Sequence, residues 1–294
     1  MKMPTKAIIC AAGLGTRFLH ATKSIPKEMF PIIDKPVIQY IVEQAISAGV
    51  IDIIIVTGNN KKAIEDHFDR SYDLERQLID NGKTTLAKEL EKVANMANFI
   101  YLRQKGLPKG NARPILNSKH LISDDEPFFV FFADDFFMSK NKSWPSQLLD
   151  GYIQTGKSVI SLVEVPRQDA DKYGMADLGQ EACPGVYKIQ SLIEKPGKEK
   201  TPSNYASAGS YLLTPDIFKY LEREKVGSNG EITLADSIND LSIDDEVYGC
   251  LINGKWYDTG DQLKYIFAQV DIALEDDRYK IELNKYLKER LSLD

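Results

Sequence analysis

The sequence predicts an α/β protein whose core is a doubly wound sheet. Short β-branched and apolar segments alternate along the chain with segments in which apolar residues recur every three or four positions. Strands that alternate with helices in this way pair in parallel through right-handed crossovers. The length of 294 residues, of which 43% are hydrophobic, is enough to bury a substantial core.

The first predicted elements follow directly from this pattern. Ala7–Cys10 is a short apolar run that predicts a buried strand. Val37–Ala48 carries one apolar stripe at helical spacing, and Gly49 ends the predicted helix. Ile51–Thr57 is rich in β-branched residues, which favours a strand buried on both faces.

The alternation continues through the middle of the chain. Leu74–Met96 is charged and helix-favouring, and its interruption near Asn81–Gly82 indicates two helices joined by a turn. Phe99–Arg103 predicts a strand, and Asn111–His120 is compatible with a helix. Phe128–Ala133 is almost entirely apolar and predicts a strand that ends directly before two aspartates.

The remaining elements complete one domain. The further predicted strands are Ser158–Val165, Val186–Glu194, Ser207–Leu213 and Val247–Ile252. The further predicted helices are Pro215–Arg223 and Leu234–Leu241. Because no linker is evident, we expect a single domain over residues 1–294, with a core at about 5–262 and a charged helical C-terminal tail at about 263–294.

Composition and charge exclude several classes of protein. With 37 basic and 43 acidic residues the net charge is −6, which argues against broad affinity for nucleic acid. No segment approaches 18 uninterrupted apolar residues, and the apolar run before Gly13 is short for a signal peptide. Cys10, Cys183 and Cys250 are too few and too widely spaced for a disulfide framework. We therefore expect a cytoplasmic protein without a membrane partner.

A glycine-containing loop follows the first strand. The loop is made of Ala11, Ala12, Gly13, Leu14, Gly15 and Thr16. Small residues at this place let backbone N–H groups approach a phosphate, and Arg17 and Lys27 add positive charge nearby. The loop matches neither the Walker motif nor the dinucleotide fingerprint. A purely structural turn is the alternative, which the two basic residues make less favourable.

Three other groups have both a chemical and a structural interpretation. Asp134 and Asp135 end an apolar strand and repel each other, which suits a divalent cation, but a turn or cap role fits the spacing equally well. Glu194-Lys195 precedes Pro196, and by itself it is most simply a solvated charge pair. Gln104 offers a donor and an acceptor for a nucleobase, although on spacing alone it is a surface glutamine.

Several of these segments together carry a resemblance to a known family. Residues 11–19, 21–23, 26–29 and 64–71 and the segment Leu74–Leu78 resemble bacterial UTP–glucose-1-phosphate uridylyltransferases, also called UDP-glucose pyrophosphorylases. The resemblance extends from Lys6 to about Ala268. It implies a Rossmann-like, glycosyltransferase-A-like mixed sheet. It also implies synthesis of UDP-glucose and pyrophosphate from UTP and glucose 1-phosphate, with Mg²⁺ as the cofactor.

The resemblance also implies roles for individual residues. Asp134 and Asp258 would hold Mg²⁺, with Asp135 as a helper. Arg17 would steady the leaving pyrophosphate, Lys27 the triphosphate and Lys195 the sugar phosphate. Residues 11–16, Gln104 and Gly110 would bind the nucleotide, and Gly174, Glu194, Lys195 and Gly209 would bind the sugar phosphate.

The sequence departs from the family pattern at a few positions. His20 stands where proline is usual, Asn111 replaces a histidine, and the segment after Gln104 is about one residue shorter. Thr259 resembles the related thymidylyltransferases. A thymidylyltransferase, another sugar-1-phosphate nucleotidyltransferase and a non-catalytic regulatory paralogue therefore stay open as alternatives. We also expect a homo-oligomer, a dimer or a tetramer.

Overall fold

The computed structural model describes residues 1–227 and 230–292 of the chain. The last two residues of the predicted tail, 293 and 294, lie outside the described residues. The strands are β1 (Lys6–Ala11), β2 (Pro31–Ile32), β3 (Lys35–Pro36), β4 (Asp52–Thr57), β5 (Asn98–Arg103), β6 (Phe128–Phe132), β7 (Asp135–Met138), β8 (Ser158–Glu164), β9 (Gly174–Cys183), β10 (Val186–Glu194), β11 (Tyr205–Leu213), β12 (Val247–Leu251) and β13 (Lys255–Asp258).

The helices alternate with these strands, as the sequence pattern predicts. They are α1 (Val37–Ser47), α2 (Lys62–His67), α3 (Tyr72–Asp80), α4 (Thr84–Ala94), α5 (Arg113–Asn117), α6 (Trp144–Thr155), α7 (Ile217–Leu221), α8 (Leu234–Asp244), α9 (Gln262–Glu275) and α10 (Lys280–Leu291). Within the described part of the chain, no helix is long and apolar enough to cross a membrane.

One mixed sheet dominates the described residues, with the strand order β5-β4-β1-β6-β11-β8-β12-β10-β9. The pairs within β5-β4-β1-β6 and the pair β8–β12 are parallel. β11 is antiparallel to β6 and to β8, and the hairpin β9–β10 is antiparallel as well. The predicted mixed α/β class is therefore confirmed, whereas uniform parallel pairing holds only for part of the sheet.

Several elements differ from the sequence prediction. The predicted helix over Asn111–His120 is the shorter α5 followed by a single turn at Lys119–Leu121. Helix α6 and strand β9 were not predicted, and neither was the separate two-stranded sheet of β7 and β13. That small sheet pairs Asp135 with Asp258, which are far apart in the chain, and local patterns carry no signal for such pairing.

The core lies on both faces of the central strands. Ile9 and Phe131 are paired across β1 and β6 and belong to one apolar cluster, whereas Ile8 and Val130 belong to the cluster on the opposite face. All four side chains are fully buried. Because β1 and β6 are parallel neighbours, the loop after β1 and Asp134 after β6 emerge at the same edge of the sheet.

Candidate active site

Two cavities open side by side at this carboxyl edge. Cavity A, of about 450 Å³, is lined by the loop after β1 and by the loop after β5. Cavity B, of about 250 Å³, is lined in part by β9, β10, β11 and the end of β13. Asn111, Phe132 and Asp134 line both cavities. The two cavities therefore meet at the end of β6.

The loop after β1 presents its backbone to cavity A. Residues 12–16 all line this cavity. Gly15 has a φ of +66°, a left-handed conformation that glycine adopts without a steric cost, and its carbonyl accepts a hydrogen bond from Thr22 Oγ1 at 2.8 Å. Ala11 belongs to β1, is fully buried and lines neither cavity. It supports the loop rather than facing a ligand.

Lys27 joins this loop to the end of β6. Its ammonium forms an ion pair with Asp134 Oδ2. Burial disfavours the charged form of Lys27, but the carboxylates of Asp134, Glu28 and Asp135 outweigh burial, and the pKa of Lys27 is raised. The neighbouring Glu28 is paired with Lys61 at 2.6 Å, and both are buried. This second pair anchors the short turn that carries Lys27.

Asp134 and Asp258 lie close to each other. A methyl group built on Gly260 would lie 2.5 Å from Asp134 Oδ2 and 3.2 Å from Asp258 Oδ1, so these oxygens are at most 5.7 Å apart, the sum of the two distances. Both the backbone N–H and the Oγ1 of Thr259 donate to the Asp134 carbonyl at 2.8 Å. Thr259 lines neither cavity and acts instead on the backbone of this carboxylate pair.

This carboxylate pair fits a divalent cation. Burial and the nearby Asp134 raise the pKa of Asp258, because two close negative charges are costly without a compensating cation. No group of three or more His, Cys, Asp or Glu side chains suited to a metal occurs in the described residues. Mg²⁺ is usually held by only one or two carboxylates, together with substrate phosphates and water. The donor set of Asp134 and Asp258 matches that chemistry.

An aromatic and cationic cluster of Tyr173, Trp256 and Lys264 surrounds Asp258. Tyr173 OH donates to Asp258 Oδ2 at 2.9 Å, and the Lys264 ammonium donates to the same hydroxyl. Lys264 also lies 3.7 Å from Asp258 Oδ2 and 4.7 Å from the centre of a Trp256 ring. The sequence analysis missed Lys264, because it belongs to the charged predicted tail and no local motif marks it.

Asp135 is enclosed by the same region of the protein. Its Oδ1 accepts a hydrogen bond from Trp256 Nε1 at 3.1 Å. A Cβ on Gly209, where φ is +65°, would lie 2.3 Å from Asp135 Oδ2, so only glycine fits there. Burial, Asp258 and Asp134 together raise the pKa of Asp135. The side chain is therefore held in place by protein contacts.

Glu194 and Lys195 line cavity B together with Asp134 and Asp258. Lys195 has a φ of +46°, an uncommon conformation for a residue with a side chain, and its N–H donates to the Tyr173 carbonyl at 3.0 Å. The Lys195 ammonium lies 3.3 Å from Glu194 Oε1, and 46% of the Lys195 side chain is exposed. Burial raises the pKa of Glu194, and Lys195 opposes this effect. A Cβ on Gly174 would lie 3.4 Å from Glu194 Oε2.

The loop after β5 closes cavity A on the other side. Gln104 lines the cavity, and its backbone N–H continues the sheet by donating to the Thr57 carbonyl at 2.9 Å. Gly110 has a φ of +145°, and a Cβ there would lie only 1.9 Å from the Ile232 carbonyl oxygen. The loop can therefore pack against residue 232 only because position 110 is glycine.

The structure brings the predicted residues together around one divided cleft. Every predicted site residue except Ala11 lines cavity A or cavity B. Arg17 lines cavity B, where its Nη1 donates to the Gly260 carbonyl at 3.5 Å. His20 is exposed and lines neither cavity. The separation of the cleft into two joined parts is what the sequence alone does not reveal.

Comparisons with known proteins show the family to which the chain belongs. Residues 6–275 match the family model described as "Nucleotidyl transferase". The UTP–glucose-1-phosphate uridylyltransferase of Bacillus subtilis (strain 168) is 45% identical over 289 residues, which cover 98% of this chain and 97% of the relative. The same enzyme of Staphylococcus haemolyticus (strain JCSC1435) is 46% identical, over 98% of this chain and 99% of the relative.

Solved structures give the same result. A crystal structure of a UDP-glucose pyrophosphorylase complexed with UDP-glucose is 38% identical, with a TM-score of 0.84 over 93% of this chain and 100% of that chain. A UTP-bound enzyme of the same kind from Acinetobacter baumannii is 32% identical, with a TM-score of 0.88 over 98% of this chain and 99% of that chain. The chain therefore belongs to the nucleotidyl transferase family and, within it, to the UTP–glucose-1-phosphate uridylyltransferases.

Proposed function

We propose that this protein joins UTP to α-D-glucose 1-phosphate and forms UDP-glucose and pyrophosphate. The observation that carries the proposal is the meeting of two cavities at Asp134. One has the glycine loop that suits a nucleoside triphosphate, and the other has the acidic and basic pair that suits a sugar phosphate. The relatives with the names given above support the choice of UTP and glucose 1-phosphate.

The reaction needs positioning more than proton transfer. A sugar phosphate is already a good anionic nucleophile at neutral pH, because its second pKa is about 6. One of its oxygens forms a bond to the α-phosphorus of UTP, while the bond from that phosphorus to the β-phosphate oxygen breaks. No general base is required. The obstacle is the repulsion between two anions that must align at one phosphorus atom.

The basic residues lower this repulsion. Lys27, beside the glycine loop, neutralises charge on the triphosphate in cavity A. Lys195, which lines cavity B, holds the phosphate of the sugar. Arg17 lies at the end of the glycine loop and steadies the pyrophosphate as it leaves. Loss of one well-placed charge of this kind costs about 10²–10³ in rate.

We further propose that the divalent cation is Mg²⁺ and that Asp134 and Asp258 hold it. When bound, it offsets negative charge on the phosphate oxygens that meet between the cavities. Thr259 fixes the backbone of one carboxylate, and Tyr173 orients the other. Asp134 also pairs with Lys27. One carboxylate therefore ties the triphosphate side of the cleft to the cation site.

A pyrophosphate-release assay tests the proposed function. Glucose 1-phosphate is supplied with UTP, dTTP, ATP or GTP, with Mg²⁺ or with EDTA. We expect release with UTP and Mg²⁺ and no release with EDTA. A preference for dTTP would identify a thymidylyltransferase instead. UDP-glucose that raises the melting temperature without any pyrophosphate release would identify a non-catalytic binding protein.

We also propose a single domain that self-associates and works in the cytoplasm. Helix α9 packs against β13 and β2, which supports treating the tail as part of the domain. Leu263, Ile266 and Phe267 on α9 are each more than half exposed, which supports a surface for self-association. Three free cysteines support a reducing compartment. Analytical ultracentrifugation tests self-association, and cell fractionation tests the compartment.

A further inference from the structure

Asn111 occupies the place where the two cavities join. It lines both of them, together with Phe132 and Asp134. It follows Gly110 directly, and a side chain at Gly110 would collide with Ile232, so the backbone of the loop has little freedom there. An uncharged polar side chain at this junction has no part in the chemistry described above.

The hydrogen bond of Asn111 determines which end of its amide faces the cleft. Its Oδ1 accepts the backbone N–H of Leu234, the first residue of α8, at 2.8 Å. A backbone N–H can only donate, so the oxygen of the amide must point towards it. No hydrogen bond among the described residues engages the Nδ2 group. The amide therefore offers two unused donors at the junction.

The chemistry of cavity B indicates which substrate atom uses a donor. Lys195 lines this cavity and is the charged partner proposed above for the phosphate oxygens of the sugar phosphate. A sugar hydroxyl is different, because it donates one hydrogen bond and accepts others. The carboxylate of Glu194 can only accept when it is ionised. A hydroxyl that donates to Glu194 therefore also needs an N–H donor. Asn111, which lines the same cavity, supplies a neutral one.

We propose that Asn111 Nδ2 donates a hydrogen bond to a hydroxyl group of the sugar phosphate and so determines specificity for the sugar. This inference rests on the proposed function, since it assumes a sugar phosphate in cavity B. It assigns Asn111 two roles: the oxygen anchors the loop to α8, and the nitrogen recognises the substrate. A variant that separates these roles therefore tests the inference directly.

The experiment compares glucose 1-phosphate with its 2-, 3-, 4- and 6-deoxy analogues. For the unmodified protein, removal of the recognised hydroxyl lowers kcat/KM by about 10-fold, the usual value of one good hydrogen bond. In Asn111→Asp the Oδ1 anchor to Leu234 remains but the donor is gone. The ratio of kcat/KM between glucose 1-phosphate and that one analogue then falls well below about 10, and what remains of it is the contribution of the bond to Glu194. The added charge repels all analogues alike and cancels in this ratio.

Asn117→Ala is a matched control. Asn117 Oδ1 also accepts a backbone N–H of the neighbouring loop, from Lys105 at 2.8 Å, but the side chain lines neither cavity. We expect this variant to keep the preference of the unmodified protein among all four analogues. Melting temperatures of both variants monitor the loop anchor.

Three results would overturn the inference: equal losses for all analogues in Asn111→Asp, a change only in the KM for UTP, or no change at all. If the unmodified protein turns over no sugar phosphate, the proposed function fails separately. In that case, isothermal titration calorimetry measures the dissociation constants of glucose 1-phosphate and its deoxy analogues. The ratios of these constants then decide the role of Asn111.

Discussion

The carboxylate pair predicts that Asp258→Asn makes the cation-free protein more stable. The facing oxygens of Asp134 and Asp258 are at most 5.7 Å apart, so two full negative charges there repel by about 3 kcal/mol at an effective dielectric constant of about 20. Lys27 and Lys264 offset part of this repulsion. The net gain in the free energy of unfolding should be about 1–3 kcal/mol. Asparagine still offers an oxygen to Tyr173 OH.

Calorimetric melting of both proteins in EDTA measures this gain. A difference of this size raises the melting temperature by roughly 2–10 °C for a chain of this length. Excess Mg²⁺ should stabilise the unmodified protein more than the variant, because the cation removes the repulsion only where both carboxylates are present. The turnover of the variant should fall by about 10²–10³. Stability and activity are therefore expected to change in opposite directions.

Asp124→Asn provides the control, because Asp124 is exposed and precedes β6, whereas Asp134 follows β6 at the other end of that strand. It removes one negative charge without relieving the pair, so its melting temperature and turnover should stay near those of the unmodified protein. The reasoning is refuted if Asp258→Asn melts at or below the unmodified protein in EDTA. It is also refuted if Mg²⁺ stabilises both proteins equally.

Other perturbations give distinct outcomes. Lys195→Ala should lower kcat by about 10²–10³ with an almost unchanged denaturation midpoint, since the Lys195 side chain is about half exposed. A large loss of stability would contradict this prediction. Gly110→Ala should lower the free energy of unfolding by about 1–3 kcal/mol and raise the KM for UTP, because the added Cβ collides with the Ile232 carbonyl. Urea unfolding measures the first effect, and steady-state kinetics measure the second. Burial lowers the pKa of His67, whose Nε2 lies 2.9 Å from Gln39 Oε1. The unfolded chain therefore takes up the proton more readily than the folded protein. The contribution of neutral His67 to the free energy of unfolding is complete above about pH 6.5 and falls as the pH drops below it. His67→Gln should weaken that fall in pH-dependent melting, and an unchanged slope would exclude His67 as its source.

Local sequence patterns predict much of the scaffold and of the site. Strands β1 and β6 are apolar on both faces, which is enough to recognise buried strands and to place a loop and an acidic residue at their carboxyl ends. The glycine loop, Lys27 and Glu194-Lys195 each occur in a short motif, which is why they were predicted. Helix α6 and strand β9 were missed, because tertiary packing overrides their mixed local pattern.

The sequence by itself determined the fold class, the family and many of the residues that line the cleft. Only the tertiary structure decided how they are divided between two cavities, and that Asp134 and Asn111 lie where the cavities meet. It also decided that Lys264 and Tyr173 hold Asp258. The physical reason is distance along the chain: β7 pairs with β13 across more than a hundred residues, and contacts of that range depend on the packing of the whole sheet.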